Sequence, residues 1–205
     1  RIGAEKIGWT RRGTPGADQG PVKRGIGMAQ SLWSANVQTN AACELRLWRD
    51  GRVEVLSSVQ DIGTGAGTVL SQVVAEELGL QPEDIQVRMG DTEFPSGPPS
   101  YGSRTTASIT PPARTAAWRI KEALFRSVAS TWRVDPQRLT VQDGWIHLRD
   151  APQQRLSWRE AAAALRTDRI SAFAGRSDDY PGFRSLSGDG AMALNDLGGV
   201  QFAAV

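Results

Sequence analysis

The sequence predicts an α+β fold, a mixed β-sheet with helices packed on one face. Three observations carry this. Two stretches alternate apolar and polar residues around an Asp-Gly turn, one centred on Asp50-Gly51 and one on Asp143-Gly144. Two runs repeat apolar residues at helical spacing, one ending at Leu78 and one at Trp132. A short alternating segment, Asp84 to Asp91, falls between those runs, so strands and helices interleave. The predicted order is β-β-α-β-α-β-β-α.

Each element has a local reason. In "CELRLWRDGRVEVLSSV" the apolar residues Cys43, Leu45 and Leu47 alternate before the turn, and Val53, Val55 and Val59 after it. A two-residue Asp50-Gly51 loop would pair Leu47 with Glu54 and put the two apolar sets on opposite faces. A three-residue loop, Arg49-Asp50-Gly51, pairs Leu47 with Val53 and Leu45 with Val55, so that one face is buried. Gly51 then supplies the left-handed residue of a type I turn with a bulge. The first helix is expected over Thr68 to Leu78, with Leu70, Val73, Val74 and Leu78 as its apolar stripe and Gly79 as its terminator. Ile85, Val87 and Met89 alternate in the next strand. Phe94 to Arg104 is rich in Pro, Gly and Ser and reads as a loop.

The second helix is expected near Pro112 to Trp132, with Thr110 as N-cap and a proline in the first turn. Its stripe is Ala113, Ala116, Ala117, Ile120, Leu124 and Val128. "RLTVQDGWIHL" is the second hairpin, and Ser157 with Glu160 forms a capping box on a short helix that runs to Leu165. Residues 1–22, rich in Gly, Arg and Pro, read as an arm or linker; residues 23–205 form the lobe. "GIGMAQSLW", from Gly25, is expected as a strand, Gly175 to Asp189 as loop, and Val200 to Val205 as a strand start.

Composition bounds the chemistry. The 205 residues carry a net charge of +2 and 40% apolar residues, ordinary for a globular chain. The arginines are scattered and form no nucleic-acid stripe. Cys43 is the single cysteine and His147 the single histidine, so no intrachain disulfide, cysteine cluster or multi-histidine zinc site exists. A Ser-His-Asp arrangement is not apparent, and His147 reads as a structural or surface residue. No window approaches the roughly 18 apolar residues of a transmembrane helix. The chain starts at Arg1 rather than Met and stops in "GGVQFAAV", which reads as the middle of a strand, so a piece of a longer protein is expected.

Two loops are candidates for function. In "QDIGTGAG" the residues Gly63, Thr64 and Gly65 stand just before a helix, where free N–H groups and the helix dipole favour an anion. The spacing is neither GxGxxG nor a P-loop, and an ordinary strand-to-helix turn is the alternative. Asp61 is expected to cap or brace this loop. The second candidate is "YGSRTTASIT", with five hydroxyls from Ser103 to Thr110 ahead of the second helix. Hydroxyls and N–H groups there suit a phosphate; a capped Ser/Thr-rich loop is the alternative.

Together, "QDIGTGAGTVLSQVVAEELGL" and "GDTEFPSGPPSYGSRTTASIT", with "KRGIGMAQSLW" upstream, resemble the large, molybdopterin-binding subunit of the xanthine dehydrogenase/aldehyde oxidase family. The resemblance is to the bacterial isoquinoline oxidoreductase and aldehyde oxidoreductase branch. It implies a molybdenum-cofactor-binding domain lobe of an enzyme that hydroxylates aldehydes or N-heterocycles with oxygen from water. The implied cofactor is molybdopterin, in its cytosine dinucleotide form, with none held tightly by this piece alone. The implied contacts are Gly63, Thr64 and Gly65 of the first loop, where many members have Gly-Gln-Gly, and Thr105, Thr106, Ala107 and Ser108 of the second. The family's general base is a glutamate in a Gly-Glu context. This chain has no Gly-Glu dipeptide, so no catalytic residue is expected here and the isolated chain should be inactive. The implied partners are the remainder of the large subunit and iron–sulfur, flavin or cytochrome subunits. The resemblance points first to the cytoplasm and leaves the periplasm open.

Overall fold

The computed structural model describes residues 2–29 and 37–178, and the chain divides into two units, Arg1–Ser34 and Ala35–Val205. The first unit holds a short helix α1 (Ile2–Lys6) and a 3-10 turn (Trp9–Arg11). The Arg12 guanidinium stacks 4.5 Å from the Trp9 ring centroid, and Asp18 accepts a hydrogen bond from the Arg24 N–H at 2.7 Å. The strand expected from Gly25 does not form over Gly25 to Ala29, which is irregular; its remainder lies outside the described residues, as does the Val200 to Val205 segment.

The second unit is built on a four-stranded mixed sheet. Its strands are β1 (Ala42–Trp48), β2 (Val53–Ser57), β3 (Ile85–Met89) and β7 (Arg169–Gly175), in the order β3-β2-β1-β7. The β1–β2 hairpin takes the three-residue loop, with Leu45 opposite Val55 and Leu47 opposite Val53. The Gly51 N–H donates to the Trp48 carbonyl at 2.9 Å, and Gly51 sits at φ +90° as the bulge residue. β3 runs parallel to β2 and β7 antiparallel to β1. One face therefore gathers Cys43, Leu45, Leu47, Val53, Val55, Ile85 and Ala174, all buried.

That face is covered by α2 (Ala66–Leu78) and α3 (Thr105–Trp132), which also pack on each other. Every residue of the predicted α3 stripe is buried, from Ala113 to Val128. In α2, Leu70, Val74 and Leu78 are buried and Val73 half-buried. Each fully buried leucine contributes about 1.5–3 kcal/mol through burial. The opposite face mixes polar residues with the fully buried Leu56: Trp48 lies under the guanidinium groups of Arg52 and Arg169, and its indole N–H donates to Glu54 at 2.8 Å.

A second, antiparallel sheet comprises β4 (Leu139–Gln142), β5 (Trp145–Leu148) and β6 (Ala151–Ser157), followed by α4 (Trp158–Ala163). The Asp143-Gly144 turn is a two-residue loop with positive φ at both positions. Ser157 and Glu160 form the expected capping box. β6 and β7 are absent from the expected order. "APQQRLS" is polar and carries a proline, which an edge strand tolerates; in β7 the inward residues include two alanines, a weak alternation signal. Arg176 to Asp178 turn out of β7, and the rest of the expected loop lies outside the described residues.

The largest correction concerns α3, which starts at Thr105 rather than Pro112. Thr110 is not its N-cap; its hydroxyl donates back to the Thr106 carbonyl at 2.9 Å. Pro111 and Pro112 lie inside the helix, where an interior proline costs about 3 kcal/mol. Two features offset that. The Ala107 carbonyl, deprived of its donor by Pro111, accepts the Arg176 Nε–H at 3.2 Å, and Ser108 and Ile109 anchor the first two turns by full burial.

Candidate functional site

The parallel pair β2 and β3 sets the site. Both strands end at the same edge of the sheet, each is followed by a helix, and ligands in such crossovers bind outside the carboxyl ends of the strands. β1 begins at that edge too. The loop after β3 is stitched along it: the Ser58 N–H donates to the Pro95 carbonyl at 2.8 Å, the Ala42 N–H to the Ser96 carbonyl at 2.8 Å, and the Gly97 N–H to the Ser58 hydroxyl at 2.7 Å. The approach at Gly97 is close enough that a Cβ there would stand 2.3 Å from the Val59 nitrogen. The Ser100 hydroxyl then donates to the Gln60 carbonyl at 2.8 Å. That bond joins the residue just before the second candidate loop to the residue preceding Asp61, so the two loops start side by side.

The first loop is braced from within. Asp61 Oδ1 accepts the N–H groups of Gly63 at 2.9 Å, Thr64 at 2.9 Å and Gly65 at 3.1 Å, and Oδ2 accepts that of Gly67 at 3.3 Å. The Gly67 N–H first, then the others, hold the Asp61 carboxyl below the usual carboxylate range. Gly65 is the left-handed N-cap of α2. A Cβ on Gly63 or Gly65 would meet no atom within 4 Å, so the backbone is open to close approach from outside. Ile62 projects into solvent with 66% of its surface exposed.

The second loop divides differently from its expected role. Thr105, Thr106 and Ala107 form the first turn of α3, with Thr106 and Ala107 exposed. The first α-helical bond is the Ser108 N–H to the Arg104 carbonyl, at 3.1 Å, so the N–H groups of those three residues have no α-helical acceptor. Ser108 is fully buried. Its hydroxyl donates to the Arg104 carbonyl at 2.6 Å and accepts the Gln38 N–H at 2.8 Å, a bond that ties the segment before β1 to α3.

Two arginines that the sequence reading did not single out stand here. Arg104 is the residue before α3; its guanidinium stacks 4.3 Å from the Tyr101 ring centroid, and its Nε is buried without a hydrogen-bond partner among the described residues. The Tyr-x-x-Arg spacing ahead of the hydroxyl run was the available signal. Arg176 reaches the same turn through Ala107, and burial lowers its pKa; only the tertiary fold brings it there. An orphaned guanidinium nitrogen beside open N–H donors fits an anionic oxygen ligand such as a phosphate. The bare backbone over Gly63 and Gly65, with its N–H groups already donating to Asp61, leaves room for an uncharged group.

The other features lie elsewhere. His147 is part-buried in β5 between Thr140 and Arg155. Its hairpin tip donates to the Gly79 carbonyl through Gly144 at 2.7 Å, at the opposite end of α2 and about 20 Å from Gly65 by helix rise. A cleft of about 470 Å³ flanks α2 and α3 beside Thr110 and Pro111. Its buried carboxylate, Glu77, already pairs with Arg114 and Lys121. Among the described residues no group of three His, Cys, Asp or Glu side chains converges on a metal position, and no helix is long and apolar enough to cross a membrane.

Comparison with known proteins decides the family. Residues 3–204 match the molybdopterin cofactor-binding domain model. The chain belongs to the molybdopterin cofactor-binding domain family. Its curated relatives include the xanthine dehydrogenase molybdenum-binding subunit of Escherichia coli O157:H7, 33% identical over 67% of this chain and 19% of that protein. The 6-hydroxypseudooxynicotine dehydrogenase complex subunit gamma of Paenarthrobacter nicotinovorans is 34% identical over 78% of this chain and 20% of that protein. The chain thus spans about a fifth of the length of these relatives. The fold is also that of solved structures: CO dehydrogenase from Oligotropha carboxidovorans, with a TM-score of 0.59 at 24% identity over 65% of this chain and 18% of that one, and quinoline 2-oxidoreductase from Pseudomonas putida 86, with 0.59 at 22% over 67% and 19%.

Proposed function

We propose that this chain is a cofactor-holding lobe of a molybdenum hydroxylase that oxidises aldehydes or N-heterocycles with water as the oxygen source. The family match across residues 3–204 carries the reading, and the neighbouring loops at one sheet edge supply its chemistry. The start of α3 holds the phosphate of a molybdopterin dinucleotide, cytosine in its base, through the N–H groups of Thr105, Thr106 and Ala107 and the guanidinium of Arg104. Gly63, Thr64 and Gly65 take the uncharged ring portion against bare backbone. Ser108 acts indirectly by fixing the first turn of α3 and the segment before β1. When bound, the cofactor supplies the redox chemistry; these residues bind it, orient it and order the edge around it. No general base is assigned to this chain. The partners in this reading are the rest of the large subunit and iron–sulfur and flavin or cytochrome subunits that carry electrons away.

The test uses the longest natural chain bearing this sequence, purified with its partner subunits. Metal analysis and acid release of the nucleotide should give molybdenum and cytidine monophosphate. A molybdenum-free preparation from cells that load a related enzyme would contradict the reading, and release of another nucleotide would overturn the cytosine assignment.

A further inference from the structure

The N–H groups of Gly63, Thr64, Gly65 and Gly67 form a concavity of the kind that binds anions, yet all four donate to the Asp61 side chain. Asp61 belongs to the loop itself, so this anion is covalently tethered at the start of α2. What the loop turns outward is different: the exposed Ile62, the exposed Thr64 and open space over Gly63 and Gly65. The neighbouring turn has the opposite character, with an orphaned Arg104 Nε and an exposed Tyr101 beneath that guanidinium. Two helices start at one edge, and an internal carboxylate fills only one of the two starts.

We propose that Asp61 is a specificity-determining, positioning residue that closes the glycine loop to phosphate, so that the loop accepts only the uncharged part of the cofactor and the phosphate is directed to α3. A phosphate at the glycine loop would have to displace a side chain that already holds all four donors. The loop therefore resembles an anion site in sequence and has its anion built in. The inference rests on the cofactor reading for the identity of the ligand; occupancy of the donors by Asp61 does not depend on it.

The experiment is amide-resolved NMR of the isotopically labelled chain titrated with inorganic phosphate, for the unaltered sequence, Asp61→Asn and Asp61→Ala. In the unaltered chain the amides of Gly63, Thr64, Gly65 and Gly67 stay unmoved. In Asp61→Ala they shift saturably, with affinity raised about tenfold or more, the worth of one charge-assisted hydrogen bond. In Asp61→Asn, whose side-chain oxygen still accepts the first three donors, those amides remain unmoved. Phosphate shifts at this loop in the unaltered chain would overturn the proposal, as would an unmoved loop in Asp61→Ala with its amide spectrum otherwise native. Asp61→Asn shifts as large as those of Asp61→Ala would overturn it too, because charge alone would then guard the loop. The amides of Thr105 to Ala107 report separately: if they ignore phosphate, the phosphate role of α3 fails while the result at the glycine loop stands.

Discussion

Cys43 lies on β1 with no exposed surface, facing the helices. Burial, the largest cause, pushes its thiol up to about 12 from the ordinary 9.0. Because the folded value is raised, stability is constant below pH 9 and falls as the pH rises from there toward 12, where only the unfolded chain ionises. A thiol reagent at neutral pH should label the native chain only through unfolding, with the labelling rate tracking denaturant. Asp61 has the opposite sign: its carboxyl is depressed, so the bracing it gives is present above the ordinary carboxylate range and fades as acid protonates it. Amide exchange at Gly63 to Gly67 should accelerate on acidification past that range relative to α2, after correction for intrinsic rates. Ser108→Ala removes the acceptor of the Gln38 N–H from a buried site, and should cost about 1–3 kcal/mol in denaturant unfolding. A variant of unchanged stability would show that this hydroxyl does not tie the two segments.

At the scale of elements, α2 is fixed at both ends. Gly79 ends it at φ +63°, and a Cβ there would stand 2.9 Å from the Val141 carbonyl oxygen of β4. Gly79→Ala and Gly63→Ala both bear left-handed strain of about 1–2 kcal/mol, at φ +63° and +94°; Gly79→Ala adds that collision whereas the Gly63 Cβ meets open space, so Gly79→Ala should lower the melting temperature more. The periodic interior of both helices, the β1–β2 register, the Asp143-Gly144 tip and the Ser157 capping box are legible because apolar spacing and turn chemistry there agree with the packing. The start of α3 is not. Pro111-Pro112 signals a helix beginning, and that local preference is overridden by Arg176, a residue far along the chain that satisfies the carbonyl Pro111 leaves open. The edge strands β6 and β7 were illegible for a related reason: their apolar alternation is faint, and pairing with β5 and β1 defines them. Likewise, the two loops were readable as candidates, while Arg104's orphaned nitrogen and the occupied donors under Asp61 are properties of three-dimensional placement.

For the whole molecule, the sheet edge matters because three segments meet there: the glycine loop, the stitched loop around Gly97 and the start of α3. We propose that this edge holds a molybdopterin nucleotide, with Arg104 among its anion contacts. Loss of one hydrogen bond to a charged group costs about 1.5–3 kcal/mol, at least tenfold in affinity. The most direct measurement is molybdenum content per subunit in the intact enzyme, unaltered and as Arg104→Ala, with both shown by circular dichroism to be folded. Near-full loading is expected of the first, and a loss of about tenfold or more in cofactor retention during dialysis of the second; equal retention in the two would contradict the proposed contact.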